Sequence, residues 1–239
     1  ETLGVPVGLI DNAWGGSIAQ AWTSEATLSG DPGNRPYYER YEQDVANLPQ
    51  DLAKYEETMK QLEKDAAAAR ARGDRPPNPP RKPQGSETRH APSVLLNGML
   101  NPLVPYAIRG VAWYQGESNA QYGYDYRRVF RGLIADWRRV WGRPDLPFVF
   151  VQLPGYREAQ TDPNEEHDWF WPDVRESQLL ATKIPHTAMA VAIDAGEADT
   201  PHPSHKKPVG LRMAAAAKAT VYGMDVPYQG PTCRNMAVE

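Results

Sequence analysis

Ile108-Arg-Gly-Val-Ala-Trp-Tyr114 runs without a break into Gln115-Gly-Glu-Ser-Asn119, and this passage decides how the chain folds. A short apolar run rich in β-branched and aromatic residues predicts a buried strand. Its end delivers polar side chains at one spot. Working downstream, Tyr126–Trp141 places Val129, Phe130, Leu133, Ile134, Trp137 and Trp141 at helical spacing, which predicts an amphipathic helix. Pro147–Leu153 reads as a second apolar strand, Val174–Thr182 as a helix and Thr187–Ile193 as a third strand. Pro208–Tyr222 is an alanine-rich helix ending near Gly223. Upstream, Val5–Ile10 reads as another buried strand, and Leu95–Tyr106, with Pro102 and Pro105, as a helix or turn. Strands that are apolar throughout and alternate with helices imply a mainly parallel sheet covered on both faces. In such sheets chemistry collects in the loops that follow the strands.

Between the first strand and this α/β pattern the composition changes. Tyr37–Arg72 is rich in Glu, Lys, Gln, Ala and Tyr, with Tyr38, Tyr41, Val45, Leu52, Tyr55, Met59 and Leu62 at helical spacing. It predicts a helical excursion broken near Pro49, without an uninterrupted heptad. Its charge run reads as a solvated helix face. After Gly73 the Pro-rich Arg75–Pro83 cannot continue a helix. The division expected is a core over 1–36, a helical and Pro-rich insertion over 37–93, the core again over 94–226 and an exit segment over 227–239.

Composition narrows the function classes. The 239 residues include 41% hydrophobic residues, enough for a buried core, and the mean hydropathy of −0.63 fits no bilayer span. With 26 Lys and Arg spread among 30 Asp and Glu, net charge −4, there is no basic stripe of the kind nucleic acid requires. The lone Cys233 permits no internal disulfide and no multi-cysteine zinc site. No basic and leucine-rich leader precedes Gly4-Val-Pro, so a signal sequence is expected upstream.

Three loops follow predicted strands: Asn12–Ser17, Gln115–Asn119 and Asp194–His205. In the first, Gly15 and Gly16 let backbone amides approach a ligand, and Ser17 reads as the cap of a helix over Ile18–Trp22. In the last, Asp199-Thr-Pro-His202 sets a carboxylate three residues before an imidazole. That spacing can fix one ring nitrogen and leave the other as a general base, although Asp199 and His202 could equally make turn hydrogen bonds. Asp194 competes with Asp199 for the acid role. A metal site from Asp194, Asp199, His202 and His205 is the weaker alternative, because Pro203 keeps the histidines off one helix face. Gln115, Glu117, Ser118 and Asn119 gather four hydrogen-bonding side chains at a strand end, where donors could stabilise an oxyanion together with the Gly15–Gly16 backbone.

These segments carry a resemblance. Val7-Gly-Leu-Ile-Asp-Asn-Ala-Trp-Gly-Gly-Ser-Ile-Ala-Gln-Ala-Trp22, then Leu96-Asn-Gly-Met through Trp113-Tyr-Gln-Gly-Glu-Ser-Asn119, resembles the sialate O-acetylesterase family of SGNH hydrolases. Ile193-Asp-Ala-Gly-Glu, His202-Pro and Lys207-Pro-Val-Gly-Leu-Arg212 look like that family's last catalytic block. The resemblance covers nearly the whole chain outside the insertion. It implies a flavodoxin-like three-layer α/β/α fold and a secreted or periplasmic serine esterase that removes acetyl groups from sugar hydroxyls without a cofactor or metal. By carry-over His202 is the general base and Asp199 its orienting acid. Gly16 is then an amide donor, Gln115 or Asn119 a side-chain donor, and Glu117 a further member of the substrate-binding loop.

One departure stands out. The family's nucleophile lies in a Gly-Gln-Ser-Asn-Met type motif, and none occurs in these 239 residues. Ser118, in Gly116-Glu-Ser-Asn-Ala120, lacks the second glycine of a nucleophile elbow. The nucleophilic serine is therefore expected upstream. The rival readings are a carbohydrate-binding pseudoenzyme and a metal-dependent deacetylase. The expected partner is an acetylated carbohydrate, with no nucleic acid or membrane; the sequence leaves the oligomeric state open.

Overall fold

The computed structural model describes residues 3–80, 82–83, 88–162 and 170–231. Cys233 and the end of the expected exit segment lie outside them. Three strands, β1 (Val111–Trp113), β2 (Phe148–Val151) and β3 (Thr187–Ala190), form one parallel sheet in the order β1-β2-β3. Trp113 stands opposite Phe150, and Phe150 opposite Met189. Helix α3 (Gly123–Val140) connects β1 to β2, α4 (Trp171–Ala181) connects β2 to β3, and α5 (Lys207–Thr220) follows β3. This is the expected open α/β arrangement.

Alternation along β2 sorts the layers. Phe148 and Phe150 enter a core with Val129, Phe130, Leu133 and Trp137 of α3 and Trp171 and Val174 of α4. Val149 and Val151 point the other way, toward Ala216 and Val209 of α5. Helices α3 and α4 therefore cover one face of the sheet and α5 the other, which makes three layers. The first is rich in aromatic rings: Phe130 stacks on Tyr126 at 5.3 Å and meets Phe150 edge-on at 5.1 Å, while Trp113 and Trp137 meet edge-on at 5.6 Å.

Four sequence expectations change. Val5–Ile10 carries no strand; Val5, Val7, Leu9 and Ile10 are exposed, because nothing among the described residues pairs with them. A strand needs a ladder as well as an apolar pattern. The expected helix at Ile18–Trp22 is a short 3-10 turn, Ala19–Trp22, and Ser17 does not cap it; the Ser17 hydroxyl accepts the Trp22 indole N–H at 2.8 Å. The third strand stops at Ala190, and Ile193–Ala195 form a 3-10 turn.

The fourth concerns the excursion. Helix α1 (Glu25–Ser29) precedes α2 (Arg35–Arg72), which runs unbroken through Pro49. Proline removes one N–H donor, leaving the Val45 carbonyl without a helical partner, but Val45 is only half-buried and its neighbours Asp44 and Ala46 are exposed, so water can take that carbonyl. Gly73, in the left-handed conformation, ends α2 and returns its N–H to Ala69 and Arg70. Of all α2 only Ala69 is buried.

Candidate active site

Parallel strands bring their carboxyl ends to one side of the sheet, so the polar loops after β1 and β3 share one rim, and the 12–17 loop, which follows no strand, joins it through hydrogen bonds to Gln115 and Asn119. The turn after β1 is possible because residue 116 is glycine: its φ is 150°, and a Cβ there would meet Val174 Cγ1 at 3.0 Å. This turn leads into a 3-10 segment, Glu117–Tyr122, and carries the 115–119 side chains to the rim.

Gln115 and Asn119 fasten this loop to the one at 16–20. Gln115 Nε2 donates to Ser17 O at 3.0 Å and to Asn119 Oδ1 at 2.7 Å, and its Oε1 accepts from Tyr126 Oη at 3.1 Å. Asn119 Oδ1 also accepts from Ala19 N at 2.9 Å, and its Nδ2 donates to Gln20 Oε1 at 2.8 Å. Both Gln115 and Asn119 are buried. The two N–H bonds of the Gln115 amide are thus occupied, whereas the Asn119 amide gives one N–H to Gln20. Gln178 of α4 completes the brace, accepting from Leu153 N at 2.9 Å and donating to Gln115 O at 3.2 Å. Sequence reasoning missed Gln20 and Gln178, since a buried glutamine looks like any surface glutamine until its partners are known.

The loop at 12–17 presents backbone. Gly15 and Gly16 are exposed, and among the described residues their amides donate to no protein acceptor. Gly16 has a φ of 72°, and its carbonyl accepts from Arg89 Nε at 3.0 Å and from His90 Nε2 at 2.9 Å.

The loop after β3 approaches from the opposite side. Lys206, at the N-cap of α5, lies 4.8 Å from the centre of the Tyr114 ring with its Nζ 3.5 Å from the phenol oxygen. Burial, then the nearby Glu117 charge, pushes the Tyr114 phenol up to about 12. Burial likewise holds the Glu117 carboxyl above the usual carboxylate range, while its own backbone N–H and the charges of His202 and Lys206 pull it back down. Glu117, His202, Lys206 and Tyr114 therefore form one electrostatic cluster.

Within the 194–206 loop the acids have distinct duties. Glu197 accepts from Ser204 N at 2.6 Å and Ser204 Oγ at 2.8 Å, and these bonds hold its carboxyl below the ordinary range. Asp194 is gripped by Arg212 through two hydrogen bonds, 2.5 and 2.7 Å long, which lower its pKa. Asp199 and His202 are exposed, and among the described residues no hydrogen bond joins either aspartate to the imidazole. Nor does any group of three His, Cys, Asp or Glu gather as a metal ion would need, among the described residues. Ser118 is half-buried on the 3-10 segment, and Ser204 is committed to Glu197.

The model of the carbohydrate esterase family of sialic acid-specific acetylesterases matches residues 95–219, which include β1 to β3, Gln115–Asn119 and His202. The chain belongs to this family. Sialate O-acetylesterases align along nearly all of it: the mouse (Mus musculus) sialate O-acetylesterase is 34% identical over 97% of this chain and 42% of its own length. The human (Homo sapiens) sialate O-acetylesterase is 30% identical over 97% of this chain and 39% of its own. Among solved structures, a carbohydrate acetylesterase from Xanthomonas citri superposes with a TM-score of 0.67 at 30% identity, covering 96% of this chain and 40% of that one. The chain thus spans about two fifths of the length of these acetylesterase relatives.

Proposed function

We propose that this chain forms the base- and oxyanion-bearing part of a carbohydrate O-acetylesterase of SGNH type, acting on acetylated sugars of the sialate class. One observation carries the reading: the loop over 114–119 is fastened to the Gly16 loop on one side and to Lys206, four residues beyond His202, on the other. Two strand-end loops and the Gly16 loop are thereby held as one rim.

In this reading a serine hydroxyl attacks the acetyl carbonyl while His202 takes its proton, and the Gly16 N–H receives the developing oxyanion. His202 returns the proton to the departing sugar oxygen. Water, deprotonated by the same imidazole, then releases acetate. Asp199 is the assigned orienting acid; supporting it over Asp194 is the commitment of Asp194 to Arg212. Gln115 and Asn119 set the loop, and Glu117 borders the substrate beside His202. The serine is assigned to polypeptide beyond these 239 residues. Support comes from Ser17, buried under Trp22, from Ser204, bound to Glu197, and from relatives more than twice as long. The core is assigned to 1–36 and 94–226, interrupted by 37–93 and leaving through 227–239. A secreted or periplasmic site of action goes with this assignment.

The test is acetate release from an O-acetylated sialic acid by the polypeptide extended through its natural upstream sequence. His202→Ala is expected to reduce turnover by about 10⁴-fold or more. Unchanged turnover in that variant refutes the assignment. Binding without turnover in the unaltered protein identifies a sugar-binding relative instead.

A further inference from the structure

The polypeptide returning from α2 ends on the same rim. Residues 88–93 carry four hydrogen bonds to carbonyls of the 16–23 loop: Arg89 and His90 to Gly16, and Ser93 N and Oγ to Gln20 and Thr23 at 3.1 and 2.7 Å. The two on Gly16 are unusual. One exposed carbonyl receives donors from two consecutive side chains, at 3.0 and 2.9 Å, across more than seventy residues of sequence. A carbonyl only accepts, so His90 carries its proton on Nε2. The His90 carbonyl in turn accepts the Tyr37 hydroxyl at 2.8 Å, which connects the grip to the first turn of α2.

Gly15 and Gly16 have the widest backbone freedom of any pair of residues, so an unrestrained loop would spread its amides over many directions. Ser17 N to Trp14 O, at 3.3 Å, closes the turn only weakly. Two donors on the Gly16 carbonyl hold the Gly16–Ser17 peptide in place; the free Gly16 N–H belongs to the preceding peptide, whose direction from that fixed plane is set by the rotations about the Gly16 Cα. The Arg89 guanidinium also occupies the space a Cβ would take, 3.1 Å away, and so rests against Gly16 at its left-handed φ of 72°. Donors to a developing oxyanion act through prior fixation in the direction where charge appears.

We propose that Arg89 and His90 are positioning residues that hold the Gly16 backbone so that its free amide faces the reacting acetyl group, making the α2 excursion a structural part of the catalytic rim. The proposal rests on the acyl-transfer reading above. It does not place either side chain on the substrate.

The experiment uses Arg89→Ala and His90→Ala, with Arg89→Lys and His90→Gln as variants that keep a donor, in the upstream-extended protein. Each alanine variant is expected to lower kcat about 10-fold with KM changed less than about 2-fold, a fraction of the 10²- to 10³-fold effect of losing an oxyanion donor outright. The donor-keeping variants are expected to recover most of kcat. Amide hydrogen exchange at residues 15–17, which does not depend on turnover, is expected to accelerate about 10-fold in the alanine variants alone. A rise in KM at constant kcat overturns the proposal, since it would mean substrate contact. Unchanged exchange at residues 15–17 overturns it as well. If the unaltered protein shows no turnover the acyl-transfer reading fails, and exchange alone then decides whether Arg89 and His90 hold Gly16.

Discussion

The two faces of the three-stranded sheet are built on opposite terms. Toward α3 and α4 the sheet presents Phe148, Phe150 and Trp113 to a core of interlocked aromatic rings. Toward α5 it presents Val149, Val151 and Ala188 to Val209 and Ala216, and α5 buries only those two residues. Aromatic side chains bury roughly 150–250 Å² apiece, so most of the apolar burial energy lies on the first face. The second face is thin, and it anchors the loop that carries His202. The part of the proposed rim that carries His202 is thus attached to the layer that contributes least to stability, where local adjustment costs least, whereas the 115–119 loop is braced from the aromatic face by Tyr126 and Gln178.

The largest expected effect tests that contrast. Phe130 is fully buried between Tyr126, Trp113 and Phe150. Phe130→Ala is expected to cost about 3–5 kcal/mol in urea unfolding at constant slope. Val209→Ala, on the α5 face, removes two methyl groups and is expected to cost about 1–2 kcal/mol at roughly 0.8 each. Equal losses would mean that the α5 layer supports the fold as much as the aromatic one, and the contrast would be broken.

The same contrast explains how much the sequence reveals. The aromatic face is legible: α3 repeats its apolar residues at helical spacing, and β2 is apolar at every position, so both element types follow from period and composition. The loops that carry Gln115, Glu117, Asn119, Asp199 and His202 are legible as strand-end segments and by resemblance to the family, and the loop that carries Gly16 by the resemblance alone. What is not legible is which way each polar group turns. Gln115 and Asn119 face inward because Ser17, Ala19 and Gln20, about a hundred residues away in sequence, supply their partners. Arg89 and His90 belong to a stretch that composition assigns to an excursion, and only the tertiary path returns them to Gly16. Pro49 misleads in the other direction, since a proline in an exposed helix need not end it. Val5–Ile10 misleads because an apolar, β-branched run says nothing about whether a pairing strand is present.

A smaller change, of opposite sign, is expected from Glu117 on the rim. Burial raises its pKa in the folded chain above the unfolded value, so in that window the folded state holds the extra proton. Stability contributed by that proton is complete below the ordinary Glu value of about 4.3 and is lost as pH rises through the folded value. At neutral pH the buried carboxylate is therefore a net cost, which Glu117→Gln should remove. Melting temperatures should show the unaltered chain less stable than the Glu117→Gln variant at about pH 7, with the difference shrinking at about pH 3, below the carboxylate range. A variant that is destabilised at neutral pH would show Glu117 to be a structural brace like Gln115, and the division between a stable core and a strained rim would have to be redrawn.

The smallest effect is expected from Asp194 and Arg212, the ion pair that replaces packing on the thin face. Arg212 holds both carboxylate oxygens of Asp194 and also donates to Val191 O at 2.9 Å, so it clasps the turn following β3. The Asp194 pKa is lowered by that contact, so its stabilisation is present above the unfolded value of about 3.9 and is lost as pH falls through the folded one. The pair is in solvent, with side-chain exposures of 36% for Arg212 and 67% for Asp194, so screening reduces what the geometry alone would suggest. Asp194→Asn is expected to cost no more than about 1 kcal/mol, a shift of about 2–4 °C at most, and less in high salt. It should also leave acetate release nearly unchanged, whereas Asp199→Asn should reduce it. A loss of stability on the scale of Phe130→Ala would place the strength of the α5 face in its polar clasp, because the small apolar residues behind it could not account for so large a change.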